Sequence, residues 1–118
     1  EEVWLVEGAV DALAVRALGA AQPGKRAVLG LAGVQSWDKP APAILPLVRG
    51  RKVVIATDGD NAGEGIVAKL STDLHGAGAG RVTRVVARGR EGEPGVKDWA
   101  DLLALRTRGE GWRRKHAA

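Results

Sequence analysis

The chain has no cysteine, no methionine, no tyrosine and no phenylalanine, and only two histidines in 118 residues. Without cysteine there is no disulfide scaffold, no thiolate zinc site and no cysteine nucleophile. Two histidines argue against a histidine-rich metal centre. The missing tyrosine removes a tyrosine nucleophile, and four tryptophans are the whole aromatic complement available for stacking on bases. No apolar run approaches the ~20 residues of a membrane span, and no signal peptide is visible. A cytoplasmic setting without membrane contact is the expectation. With no initiator methionine and an apolar run already starting at Val3, the chain reads as a piece of a longer polypeptide.

What is present suits one globular domain. Hydrophobic residues make up 45%, enough for a core and too many for a disordered tail. The formal charge of +4 is unevenly placed. Residues 1–80 carry 8 basic and 9 acidic side chains, whereas residues 81–118 carry 10 basic and 5 acidic. The basic end suits an anionic partner such as nucleic acid. The run Arg113-Arg114-Lys115 taken alone reads more simply as a solvated face.

Four short apolar runs read as strands: Val3–Val6, Ala27–Leu29, Val53–Ala56 and Val82–Val86. They are mostly continuous rather than alternating, as strands buried on both faces of a parallel sheet are. Helical stripes lie between and after them. Val10, Leu13, Ala14, Ala17 and Leu18 form one, with Gly19 as its stop. Ile66, Val67, Leu70 and Leu74 form a second, ending near Gly76, and Trp99, Leu102, Leu103 and Leu105 a third. Pro40, Pro42 and Pro46 limit Lys39–Leu47 to a short turn or loop. Arg88–Gly95 reads as a loop, and the chain from Thr107 as a frayed end. Alternating strands and helices predict an open α/β sheet.

In such sheets ligands sit outside the carboxyl ends of the strands. Glu7-Gly8 follows the first strand, with Asp11 in the next helical turn. Asp58-Gly59-Asp60-Asn61-Ala62-Gly63 follows the third, and Lys97-Asp98-Trp99-Ala100-Asp101 follows the fourth. Each acid also has a plain structural use. Asp11 suits a helix start, Asp60 or Asn61 an N-cap, and Asp98 a cap with Asp101 as first-turn acid. Glu7 and the Asp58–Asp60 pair fit such uses worst, because acids crowded at a strand end repel one another unless a cation lies between them. Hard oxygen donors of this kind suit Mg²⁺, with Mn²⁺ as substitute, together with substrate phosphates. Gly8, Gly59, Gly63 and Gly65 would let a phosphate backbone approach closely. Metal-assisted phosphoryl or nucleotidyl transfer follows as the sharpest expectation.

Other acid and glycine motifs fail on detail. A calcium loop starting at Asp58 has Ala62 at its fifth position and Lys69 at its twelfth, where a bidentate Glu belongs. The Asp-x-Asp of haloacid-dehalogenase-type phosphatases belongs on a first strand, and here it lies mid-chain. A response-regulator receiver wants paired acids after the first strand, where this chain has one. Gly30-Leu31-Ala32-Gly33 lacks the third glycine of a dinucleotide fingerprint.

The segments Glu7-Gly8-Ala9-Val10-Asp11-Ala12-Leu13-Ala14, Asp58-Gly59-Asp60-Asn61-Ala62-Gly63 and Lys97-Asp98-Trp99-Ala100-Asp101-Leu102-Leu103 resemble the Toprim (topoisomerase–primase) domain. The wording is nearest its primase-like branch, in phage- and plasmid-type primases and primase-helicases. The resemblance implies a compact Rossmann-like fold with a central, mainly parallel sheet of about four strands flanked by helices. It covers the chain as a catalytic domain over residues 1–106, with 107–118 as a basic tail or linker. It implies that Glu7 acts as general acid/base and that Asp58 and Asp60 coordinate Mg²⁺. Asp11 matches a further acid near the metals, and Asp98 and Asp101 match a later acidic segment. Lys97, Arg88 and Arg90 are the candidates for nucleic-acid contact. At residue 64 many primase-like members carry a basic side chain, and here it is Glu64.

The function implied is primer synthesis: attack of a primer 3′-hydroxyl on a nucleotide α-phosphate, on a single-stranded DNA template. The implied partners are that template, nucleoside triphosphates, other domains of the parent chain and a helicase. Three other readings stand beside it: a nuclease of the same superfamily, a topoisomerase fragment, and a non-catalytic nucleic-acid-binding module of a replication protein.

Overall fold

A computed structural model describes residues 2–19, 26–31, 37–88, 95–96 and 98–116. Four strands form one parallel sheet: β1 (Glu2–Glu7), β2 (Arg26–Leu31), β3 (Lys52–Ile55) and β4 (Arg81–Arg84), in the order β2-β1-β3-β4. Helix α1 (Gly8–Ala17) joins β1 to β2. The short α2 (Ala41–Ile44) and a 3₁₀ turn (Leu45–Leu47) precede β3. Helices α3 (Asn61–Gly65) and α4 (Val67–Gly76) join β3 to β4, and α5 (Trp99–His116) follows.

The chain moves from β1 outward to β2, then back across to β3 and on to β4. Right-handed crossovers in opposite directions put their helices on opposite faces. The pleat then sorts the side chains. Val3, Leu5, Val53 and Ile55 face Leu70 and Leu74 of α4 and Ile44 of α2. Trp4, Val6, Val54 and Ala56 face Ala14 and Val15 of α1 and Trp99 of α5. Both faces of β1 and β3 are therefore buried, which accounts for their continuous apolar runs. Each fully buried Leu or Val contributes about 1.5–3 kcal/mol relative to exposure.

All four strands fall where the sequence places them, as does the short helical turn within 39–47. The stripe on α1 does so only in part: Ala14 is buried and Leu18 packs against the same cluster. Val10 and Leu13 are 68% and 69% exposed and Ala17 is exposed, while Asp11, Ala14 and Val15 are buried. The helix is rotated by about one residue from the apolar reading because it turns an aspartate inward. Backbone helix continues past Thr107, through the expected tail, to His116. Most of the Arg88–Gly95 loop, residues 89–94, lies outside the described residues.

Candidate metal centre

Strands β1 and β3 are neighbours, and the chain leaves their carboxyl ends toward opposite faces of the sheet. That reversal opens a crevice at a topological switch point, where open α/β folds bind ligands. Glu7 ends β1 and Asp58 lies three residues past the end of β3. The Asp58 backbone N–H donates to Glu7 Oε1 at 3.1 Å. Asp11 lies one turn into α1, on its buried face, 6% exposed. Asp98 immediately precedes α5 and caps it, its Oδ1 accepting the Asp101 N–H at 2.7 Å.

Carboxylate oxygens of Asp11, Asp58 and Asp98 lie within 4.8 Å of one another. Three segments far apart in sequence thus supply one acid each, and Glu7 adjoins them through Asp58. The amino end of α5 faces this group. Its Ala100 N–H donates to Asp11 Oδ1 at 3.1 Å, and the positive end of the helix partly offsets the clustered negative charge. That offset is incomplete. Burial, and then the charges of Asp58 and Asp98, push the Asp11 carboxyl up to about 6, against the lowering effect of the Ala100 N–H. Burial, and then the neighbouring Glu7 charge, push Asp58 up to about 6 as well. Asp58 Oδ1 is buried and has no hydrogen-bond partner among the described residues. An orphaned carboxylate oxygen among converging hard donors fits a divalent cation, which relieves both the repulsion and the unpaired oxygen.

Asp60 has a different position. It is exposed, and its Oδ1 accepts the Gly63 N–H at 2.7 Å as the N-cap of α3. It stands outside the group of three, two residues along the same loop from Asp58. The Asp101 N–H holds Asp98 in place. Arg88 is exposed, and Lys97 and Arg90 lie outside the described residues. Of the four glycines read as room for phosphate, Gly63 has another use: a Cβ there would lie 2.8 Å from the carbonyl carbon of Asp58. Gly8 has φ +79°, a conformation that L side chains rarely adopt, in the step from β1 into α1. Gly65 has open space around it.

Sequence reasoning missed Arg84. This β4 residue reaches under the Asp58 loop and pairs with Glu64 at 2.6 Å. The acid at position 64 therefore has an internal partner. The signal was an arginine inside an apolar strand run, where a charge needs partners to be buried. Trp99 belongs to the core: its indole N–H donates to the Ala56 carbonyl at 2.9 Å, and its ring meets Trp4 edge-on at 6.0 Å. No helix of the described residues is long and apolar enough to cross a membrane.

The model of the Toprim-like family matches residues 4–103, which include every acid named above. Comparison with curated proteins and with solved structures gives no match.

Proposed function

The chain belongs to the Toprim-like family, and from that premise we propose that it is the metal-dependent catalytic domain of a DNA primase, transferring nucleotides to an RNA primer on single-stranded DNA. Toprim domains bind divalent metals through acidic residues and occur in primases, nucleases and topoisomerases. The observation that carries the reading is the convergence of Asp11, Asp58 and Asp98 at the β1–β3 crevice, with Glu7 against Asp58. The primase assignment rests on the wording of the motifs around those acids.

In this reading Asp58, Asp11 and Asp98 would hold Mg²⁺ or Mn²⁺, with Asp60, two residues beyond Asp58, and Asp101, in the first turn of α5, as further candidate ligands. The bound ion supplies positive charge at the reacting phosphate and at the leaving pyrophosphate. Glu7 Oε1 already accepts the Asp58 N–H, so its carboxylate stands beside the reacting region, able to accept the proton of the attacking hydroxyl. The crevice is walled by β1 and β3, whose inner residues Val3–Val6 and Val53–Ile55 are buried, and these paired strands hold the acids' backbone positions. Nucleoside triphosphates and template enter from the carboxyl edge of the sheet. Arg88, Arg90 and Lys97 on the connection from β4 to α5 serve as template contacts, and other domains of the same polypeptide, with a helicase, complete the machinery.

The test is a pair of labelled substrates given to the native polypeptide that carries this chain. Labelled ribonucleotides incorporated on unlabelled single-stranded DNA, in a Mg²⁺-dependent way, are the expected result. Cleavage of labelled DNA without incorporation would transfer the same residues to a nuclease.

A further inference from the structure

The Asp58 carboxylate is only as well placed as the backbone that carries it. The β3 ladder ends at Ile55, and the next residues have left the strand by the time the chain reaches Asp58. Buried carbonyls there need donors from elsewhere. Trp99 supplies one to Ala56 and the Val85 N–H one to Ile55; Arg84 supplies the others. Its Nη1 donates to the carbonyls of Ile55 (3.1 Å), Thr57 (2.8 Å) and Val85 (3.0 Å), and its Nη2 donates to the Asp58 carbonyl at 3.1 Å. Nη2 also meets the Glu64 carboxylate at 2.6 Å. One planar fork thus fixes four carbonyls relative to one another, a geometry that a lysine ammonium on a flexible stem does not reproduce.

From the other side, Glu7 accepts the Asp58 N–H. The peptide groups on both sides of the Asp58 Cα are therefore held, one by the end of β1 and one by β4. We propose that Arg84 is a positioning residue for the metal site: it sets the Asp58 carboxylate toward Asp11 and Asp98 by holding the Asp58 carbonyl, without itself touching the ion. This rests on the metal reading above. Glu64, half-exposed, orients the guanidinium but contributes none of the carbonyl contacts.

The test is Mn²⁺ binding to the 118-residue chain, read as loss of the free-ion electron paramagnetic resonance signal, in parallel with circular dichroism and melting. Arg84→Lys is expected to fold and to bind Mn²⁺ about 10- to 100-fold more weakly, the range seen when a partner that orients a ligand is lost. Glu64→Gln is expected to bind within about twofold of wild type, because the carbonyl contacts remain. Equal affinity of wild type and Arg84→Lys would overturn the proposal, and so would equal losses in Arg84→Lys and Glu64→Gln. An Arg84→Lys chain that does not fold would assign Arg84 to the fold alone and overturn it too. A wild-type chain that leaves millimolar Mn²⁺ free would reject the metal reading itself, a separate outcome from these.

Discussion

Gly63 packs its Cα against the peptide of Asp58, so closely that a Cβ would fall 2.8 Å from the Asp58 carbonyl carbon and nearer still to its oxygen. The Gly63 carbonyl accepts the buried Thr57 hydroxyl at 3.0 Å, and its N–H is capped by Asp60. The start of α3 is thereby folded back onto the loop that carries Asp58. Gly63→Ala is expected to destabilise the chain by about 1–3 kcal/mol, the usual cost of overpacking, and to weaken Mn²⁺ binding as Asp58 moves. Gly65, two residues on, has open space where a Cβ would stand. Gly65→Ala should be neutral or stabilising by up to ~1 kcal/mol, from helix propensity. Denaturant unfolding of the pair checks both, and equal effects would contradict the packing argument.

The acids give metal-free stability a definite pH dependence. Asp11 and Asp58 are raised from an ordinary 3.8 to about 6. Between those values the folded chain holds protons that the unfolded chain has released, so unfolding becomes easier as pH rises through the window. Their contribution is most favourable below pH 3.8 and is lost above about 6. Asp11→Asn keeps an oxygen for the Ala100 N–H and removes one charge. Melts in a chelator should show this variant gaining on wild type between pH 5 and pH 7.5. A gap that does not change with pH would contradict the burial argument.

A divalent cation should reverse that penalty. Millimolar Mn²⁺ at pH 7.5 is expected to raise the melting temperature of wild type, since an ion that binds only the folded state stabilises it. Asp58→Asn should abolish the rise and melt higher than wild type without metal. Asp60→Asn separates two roles of one residue. Asparagine caps a helix as well as aspartate, so its metal-free melting temperature should match wild type, and a smaller Mn²⁺ response then reports Asp60 as a ligand. Asp60→Ala should cost about 1 kcal/mol through the lost cap.

Much of this arrangement was legible in the sequence, for a physical reason. Strands buried on both faces cannot carry polar residues, so Val3–Val6 and Val53–Ala56 stand out, and the acids after them mark the carboxyl edge. The error on α1 has a related cause. Its inward face is Asp11, Ala14 and Val15, while Val10 and Leu13 point outward. A period count seeks apolar residues inside, and it rotates the helix away from Asp11, a charged residue on its inward face. Arg84 and the double use of Asp98, as cap and as member of the acid group, depend on contacts between segments that no local pattern encodes.

Trp99 provides a check on the core. Its N–H to the Ala56 carbonyl ties α5 to the strand leading to Asp58, and its edge meets Trp4. Trp99→Phe keeps an aromatic ring and leaves that buried carbonyl without its donor, at a cost of about 1–3 kcal/mol. Because Trp99 is only 6% exposed, single-stranded DNA should not alter its fluorescence in a chain where the other tryptophans are replaced. Strong quenching by DNA would place it on a binding surface.

The most demanding prediction concerns Glu7 itself. Glu7→Gln retains an oxygen that can accept the Asp58 N–H, so the contact at 3.1 Å and the fold should survive. What disappears is the negative charge and the ability to take a proton. In the native polypeptide that carries this chain, Glu7→Gln and Asp58→Asn should each abolish primer synthesis while melting cooperatively. The 118-residue chain alone should be nearly silent. In the proposed reading its acids gather an ion at the carboxyl edge of the sheet, but polymerisation also requires template and nucleotide held in register, and such positioning supplies up to roughly 7–11 kcal/mol in favourable cases. Its basic end can add salt-dependent, sequence-blind affinity for DNA, which is not the same as register. Primer extension assays on the native polypeptide, its two variants and the isolated chain decide the matter. Full synthesis by Glu7→Gln would remove Glu7 from the mechanism, and robust priming by the isolated chain would show that the positioning surface lies within these residues.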